Sequence, residues 1–385
     1  MRILMFNHEF PPIGGGSGWV SYFFGKHFVE AGHDVRLITS QFQSLPIEEE
    51  VEGIHVRRVP TLRNNKDVCA VHEMLTYSIS SVLHGLASVS RFKPDIVQIF
   101  SGIPAGGGGY LLKKIHGLPY VVFLSGRDVP SQNPDPPYYR WIYALLRPMI
   151  QGIWKNAGAV VACSDGLRDV ALQTAPQLNF KVIPDGLDLN RFSPVIRATA
   201  PARVRILTIG RLIPRKGFQL LIRALPQVIA EATVDFEIEV VGDGPDRDTL
   251  AVLAKELKVD HKIRFVGSVS YSELPQKYRE ADVFVLCSLA EGMPLVVLEA
   301  MGTGLPIVAS SVQGIEDLVR TGVNGALFPP NDVDSLAKSL VSLINDGDSR
   351  VRMGRSSIDF VQKYDWKNIA SSYLAIYERL LEGRD

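Results

Sequence analysis

Short apolar, β-branched runs alternate with segments of helical period along this whole chain, and few folds accommodate that order. RILMFN (2–7), DVRLITSQF (34–42), DIVQIF (95–100), YVVFLSG (120–126), AVVACS (159–164) and KVIPDG (181–186) read as strands. Helical spacing falls between them, notably near 67–90, 101–116 and 138–156. A second series starts at VRILTIG (204–210) and runs through FEIEVVGDG (236–244), KIRFVGS (262–268), ADVFVLCS (281–288), PIVAS (306–310) and GALFPP (325–330). Strands separated by helices of this length cannot pair as hairpins, so they predict parallel sheets wound on both faces. FSPVIRATAPARV (192–204) has two prolines and no period, and is the expected linker. The expected fold class is therefore α/β, with two Rossmann-like, doubly wound parallel-sheet domains facing across a cleft at their strand C-terminal ends. Their bounds are 1–195 and 196–365, and a C-terminal helix, 366–385, is expected to pack back across the N-terminal domain.

Composition narrows the function classes. A chain of 385 residues exceeds one ordinary core, and 46% hydrophobic with 21% charged residues marks a globular protein. The formal net charge is zero, with neither half in excess, which argues against a nucleic-acid partner. MRILMFN runs straight into a strand, and no run reaches the apolar length of a membrane span. Three scattered cysteines offer neither a disulfide framework nor metal-ligand spacing, so the cytoplasm is the expected compartment. Helix 138–156 mixes Trp, Tyr, Arg and Lys. Core packing with snorkelling cations is one reading, and a peripheral contact with the inner face of a membrane is the other.

LCSLAEGMPLVVLEAMGTG (286–304) carries the densest chemistry. A buried strand ends in a loop, Pro294 suits the first turn of a helix, and Gly302 and Gly304 stop that helix. The free N–H groups at such a helix start form an anion site, here with Glu291 in the loop and Glu299 inside the helix. An ordinary αβ unit with a capping Glu has the same local pattern. GRLIPRKG (210–217) also joins strand to helix, so Arg211 and Lys216 can address one diphosphate; alone, they also suit two solvated loop cations. GGGSG (14–18) lets backbone approach a phosphate, but Trp19 stands where a dinucleotide fingerprint needs its third glycine. GDGPDR (242–247) reads as a plain βα turn. The runs DRD (246–248), DVD (332–334) and DGD (346–348) read as helix caps more readily than as metal ligands. His33, at a strand start, reads as structural.

With these motifs in order, the chain resembles glycosyltransferase family 4, whose fold is GT-B. PPIGGGSG, AGHDV, VIPDGLDLNRFSP, GRLIPRKG, VVGDGP, FVGSVS and EGMPLVVLEAMGTGLPIVAS follow the family's sequence of motifs, the last with two Glu separated by seven residues. The resemblance implies a retaining hexosyltransferase that moves a sugar from a nucleoside-diphosphate sugar to a hydroxyl of a glycan, lipid-linked or small-molecule acceptor. It implies no metal and no cofactor. In that reading Arg211 and Lys216, beside Gly210, hold the diphosphate. Glu291 faces the sugar hydroxyls, and the loop Gly292, Met293, Pro294, Leu295 and Val296 helps bind sugar and phosphate. Glu299 holds the ribose, Val266 and Gly267 lie beside the base, and Gly15 and Gly16 close over the phosphate. Two departures stand out. Asp185 replaces a usual Asn, and in LSGRD (124–128) Ser125 stands where many members carry His, while Asp128 remains on the acceptor or sugar side. Without that histidine, the departing phosphate is the expected proton acceptor. A sugar-nucleotide epimerase, a glycosyl phosphorylase or a non-catalytic sugar-nucleotide-binding protein would use the same residues.

Overall fold

The computed structural model describes residues 1–66, 69–126, 128–130, 138–195, 197 and 201–383. Part of the 192–204 segment, Arg127 of LSGRD and residues 384–385 of the expected 366–385 helix lie outside the described residues. The chain divides into two units, Met1–Asp185 with Trp366–Asp385, and Gly186–Asp365.

In chain order the first unit runs β1 (Arg2–Phe6), α1 (Gly16–Glu30), β2 (Asp34–Ser40), β3 (Glu48–Val51), β4 (Ile54–Val59), α2 (Val71–Phe92), β5 (Ile96–Phe100), α3 (Gly106–His116), β6 (Tyr120–Leu124), α4 (Tyr139–Asn156), β7 (Ala159–Ala162), α5 (Asp165–Thr174) and β8 (Phe180–Val182). These strands form one sheet in the order β3-β4-β2-β1-β5-β6-β7-β8. Strands β5 and β6 are buried at every position, which is why they read as unbroken apolar runs. The pair β3–β4, antiparallel at the sheet edge, is absent from the sequence reading. EEEV resembles a solvated charge run. The signal was in Glu52-Gly53, both at positive φ (49° and 78°), the two-residue connection that twisted hairpins favour.

The C-terminal helix, Trp366–Glu382, belongs to this first unit and packs on α1. Trp366 stacks on Phe23 at 5.3 Å between centroids, and Tyr373 meets Phe24 edge-on at 4.6 Å. Tyr377 donates its hydroxyl to Gln98 Oε1 on β5 at 2.5 Å. Between strands β5 and β6, a run of four glycines opens α3. A Cβ on Gly106 would fall 2.9 Å from Ile153, one on Gly108 3.1 Å from Phe6, and one on Gly109 2.9 Å from Ile99. The missing side chains let α3 press against the sheet and against α4.

The second unit runs β9 (Val204–Ile209), α6 (Phe218–Glu231), β10 (Phe236–Val241), α7 (Arg247–Glu256), β11 (Ile263–Gly267), α8 (Leu274–Glu280), β12 (Val283–Leu286), α9 (Leu295–Gly302), β13 (Ile307–Ser310), β14 (Gly325–Phe328), α10 (Val333–Asn345) and α11 (Gly347–Val361). Its sheet is parallel in the order β11-β10-β9-β12-β13-β14. Counted from β9, this is the 3-2-1-4-5-6 order of dinucleotide-type sheets, so the winding direction reverses between β9 and β12. The division between units falls upstream of residue 195, because the intervening segment is fastened to the second unit. The Leu187 N–H donates to the Tyr364 carbonyl at 2.6 Å, the Val195 N–H to Thr303 at 3.3 Å, and Phe192 packs edge-on against Tyr278.

The α3 glycines separate two effects that sequence alone merges. Gly109→Ala is expected to lower stability by roughly 1–3 kcal/mol through overpacking against Ile99 and Tyr120. Gly107, whose Cβ would meet nothing nearer than Val82 at 3.9 Å, is expected to gain up to about 1 kcal/mol as Gly107→Ala. Urea unfolding of the two variants checks the opposite signs.

Candidate active site

The loops leaving β9 and β12 lie side by side at the reversal of the second sheet. Arg211 follows Gly210 at the end of β9 and is half-buried. The loop turns through Pro214–Lys216 and ends at Gly217, where φ is +68° and an added Cβ would lie 2.0 Å from the Cys287 carbonyl oxygen. Only glycine fits there, so this loop is pressed against the end of β12. Across the same seam, the Leu289 N–H donates to the Arg215 carbonyl at 2.8 Å and Arg215 Nη1 to the Ala290 carbonyl at 3.3 Å. Lys216 Nζ then reaches Glu291 Oε1 at 2.5 Å.

Glu291 is buried. Burial alone would push its carboxyl up, but the charge of Lys216, then that of Arg215, and the hydrogen bond from Lys216 hold it below its ordinary value. It is therefore a buried carboxylate that stays ionised at neutral pH. The loop behind it is supported at Gly314, where φ is +76° and a Cβ would strike the Gly292 oxygen at 2.0 Å. Pro294 occupies the cap position of α9, one residue before the expected first turn. Leu295 and Val296 follow, half-buried at the helix start, while Gly292 and Met293 are buried beneath the loop.

Glu299 lies inside α9 and is buried. Tyr278 of α8 donates its hydroxyl to Glu299 Oε2 at 2.6 Å. Burial raises the Glu299 carboxyl to about 7, opposed by the Tyr278 hydrogen bond and the positive charge of Arg191. Neither Tyr278 nor Arg191 was singled out from sequence. Arg191 lies in the DGLDLNRF motif and stands 4.2 Å over the Tyr271 ring while bonding the Tyr271 carbonyl at 2.9 Å. The motif was visible, but Tyr271, in the turn before α8, shares no spacing with it.

GDGPDR supports the same loops. A Cβ on Gly242 would sit 2.0 Å from the Gly210 oxygen, and one on Gly244 2.4 Å from the Leu212 oxygen. Its glycines are therefore explained by contact with GRLIPRKG. The Gly242 N–H donates to the Gly267 carbonyl at 2.8 Å, which places half-buried Val266 and buried Gly267 beside that turn. Asp332 and Asp346 accept the N–H groups of Ser335 and Ser349 at 2.9 Å each, as helix caps.

In the first unit, Gly15 caps α1, and its N–H donates to Glu9 Oε2 at 3.4 Å; Gly16 is exposed. Asp128 is buried, and its carboxylate accepts N–H groups from Gly102 (3.1 Å), Ser125 (3.0 Å) and Gly126 (2.9 Å). It ties the loops after β5 and β6 together and thereby sets Ser125, whose hydroxyl stands 3.5 Å from that of Ser101. Asp185 is buried, and burial raises its carboxyl to about 8. At neutral pH it carries one O–H donor and one carbonyl acceptor, the same pair that an Asn amide presents.

Two family models match the chain: glycosyl transferases group 1 over residues 195–359 and the glycosyl transferase 4-like domain over residues 15–186. The chain is 32% identical to the GDP-mannose-dependent alpha-(1-6)-phosphatidylinositol monomannoside mannosyltransferase of Mycobacterium tuberculosis, covering 96% of each. It is 27% identical to the sulfoquinovosyl transferase SQD2 of Arabidopsis thaliana, covering 95% of this chain and 71% of that one. Among solved structures, sucrose-phosphate synthase from Thermosynechococcus elongatus superposes with a TM-score of 0.85 at 22% identity over the full length of both. Anabaena HepE, in complex with UDP and glucose, gives 0.77 at 19% identity over 98% of this chain and 100% of that one.

Both raised carboxyls lie above their ordinary values, so each makes the folded state bind a proton that the unfolded chain has released. Their stabilising effect is complete below pH 4 and is lost as pH rises to about 7 for Glu299 and about 8 for Asp185. Glu299→Gln and Asp185→Asn are therefore expected to melt progressively higher relative to the parent as pH rises through those windows. Thermal melts across pH 5 to 9 check the trend, and pH-independent differences would contradict it.

Proposed function

This chain belongs to the family of glycosyl transferases group 1, and on that premise we propose that it moves a hexose-type sugar from a nucleoside-diphosphate sugar to an acceptor hydroxyl with retention at the anomeric carbon. It is a glycosyltransferase with the GT-B fold of two Rossmann-like units. The observation that carries the finer reading is the contact of Lys216 with Glu291 where the winding of the second sheet reverses. There a cation and an acid, from loops that the fold holds together, meet at the place where such sheets bind ligands.

In this reading Arg211 and Lys216 take up the negative charge that grows on the diphosphate as the anomeric C–O bond breaks. Lys216 can share its ammonium between Glu291 and a phosphate oxygen. Glu291, kept ionised, accepts hydrogen bonds from the sugar's hydroxyls. The N–H groups of Leu295 and Val296 at the start of α9 face the same charge. Glu299 accepts the ribose hydroxyls, and Val266 and Gly267 border the base. The acceptor oxygen forms its bond on the face from which the diphosphate departs, and the departing phosphate oxygen takes the acceptor's proton. No step asks Ser125 to act as a base. The diphosphate's charge is met by side-chain cations, so no metal enters the reading.

The donor class draws support from relatives. The mycobacterial mannosyltransferase is named for its dependence on GDP-mannose, and HepE is known in complexes with UDP and with UDP-glucose. The acceptor in this reading is a glycan, a lipid-linked molecule or a small molecule with a free hydroxyl. A thermal-shift panel of UDP-, GDP- and ADP-sugars identifies the donor, since a ligand held at 100 times its Kd stabilises by about 2.7 kcal/mol.

Arg211→Ala and Lys216→Ala are each expected to lower kcat by on the order of 100-fold with the selected donor, as removal of a donor to a developing anion does elsewhere. Thermal melts must show both variants folded, and parental turnover in both would end the assignment. Turnover is expected to be unchanged in EDTA. Loss of activity that Mn²⁺ restores would replace the side-chain cations with a metal.

A further inference from the structure

The first unit carries an apolar surface on which none of the candidate site residues lies. On α2, Val71, Leu75, Ile79 and Leu83 recur every fourth residue and are exposed, Leu75 and Leu83 at 61% each. On α3 the exposed pair is Leu111 and Ile115, again four apart. On α4 it is Trp141, Leu145 and Met149, with Trp141 and Leu145 exposed at 80%. Residues four apart share one side of a helix, so each helix presents an apolar line. Helix α3 packs against both α2 and α4, so the three lines belong to neighbouring helices of one layer. Outside these helices and Tyr138 at the start of α4, the large exposed hydrophobics among the described residues are Ile47, Leu62, Val252 and Val323. The concentration on one face exceeds what scattered surface residues produce.

The charge on this face is one-sided. Arg91, Lys114, Arg140 and Lys155 are exposed on the three helices. Their one carboxylate, Glu73, is buried and accepts the N–H groups of Asn64 and Ala70 at 2.7 Å each. Acids resume on α5, where Asp165 and Asp169 pair with Arg168. The chain as a whole has zero net charge, so this separation is local. A symmetric contact with a second copy would set cation against cation. No helix among the described residues is long and apolar enough to cross a membrane. Apolar lines bordered by cations and free of acids match a surface that is oily just beneath a layer of negative charge.

We propose that the exposed face of α2, α3 and α4 docks on the interface of an anionic lipid bilayer. The apolar lines enter the headgroup boundary while Arg91, Lys114, Arg140 and Lys155 lie against lipid phosphates. The proposal does not depend on which sugar is transferred, and it holds whether the acceptor is lipid-linked or soluble.

Flotation of the full-length protein with phosphatidylcholine vesicles, with and without phosphatidylglycerol, tests it. Parental protein is expected to float with the anionic vesicles and to be released by salt. The double variant Trp141→Glu/Leu145→Glu is expected to stay at the bottom. These side chains are largely in solvent, and a parental melting temperature shows the fold is kept. Arg140→Gln and Lys114→Gln are each expected to weaken partitioning about fivefold, the effect of one cation near an anionic surface. Val252→Glu, on the second unit, is expected to float as the parent does. Failure of the parental protein to bind anionic vesicles overturns the proposal, as does equal flotation of the double variant. A parental dimer converted to monomer by that variant also overturns it, by assigning the face to a second copy.

Discussion

A parallel sheet cannot be closed by tight turns, so each strand needs a crossover, and the hand of those crossovers is fixed. In the second unit this constraint sends the chain one way from β9 through β11 and the other way from β12 through β14. The helices following β9 and β12 therefore diverge, and the two loops between them remain neighbours. The bond from Lys216 to Glu291 follows from that topology, as do the backbone bonds from Leu289 and Arg215 that align the loops. A carboxylate so buried would otherwise become neutral. Its lysine keeps it charged.

The two acids of the EGMPLVVLEAM stretch illustrate how environment separates like residues. Glu291 is held below its usual value by cations from the neighbouring loop, while Glu299, a short way along the same segment, is raised to about 7 by burial against one tyrosine hydroxyl. One is a fixed charge and the other changes state near neutrality. Asp185 extends the point, because burial gives it the hydrogen-bonding character of the amide it replaces.

Much of this was legible in the sequence, for identifiable reasons. Strands buried on both faces, such as IVQIF and YVVFL, declare themselves as apolar runs, and the loops at the sheet reversal carry glycines at positions that admit nothing else. Glu291 and Lys216 could be named because motif order marked them. Their contact could not, since it depends on a seam between segments far apart in sequence. The β3–β4 hairpin was hidden because EEEV imitates a solvent-exposed run. Tyr278 and Arg191 were missed because the Glu299 environment is assembled from a helix and a connecting segment with no shared period. The apolar lines of α2 and α3 were hidden for a related reason. Amphipathic spacing shows that a helix has an apolar side, but not whether that side meets the core.

The return of the final helix to the first unit has a temporal consequence. Phe23 and Phe24 are completed by Trp366 and Tyr373, which a ribosome makes only after the whole of the second unit. The second unit contains its own sheet and can finish folding while the first still lacks part of its aromatic cover. During synthesis, α1 is thus sealed only after the second unit has been made, and that interval is when it is most open to a chaperone's grip.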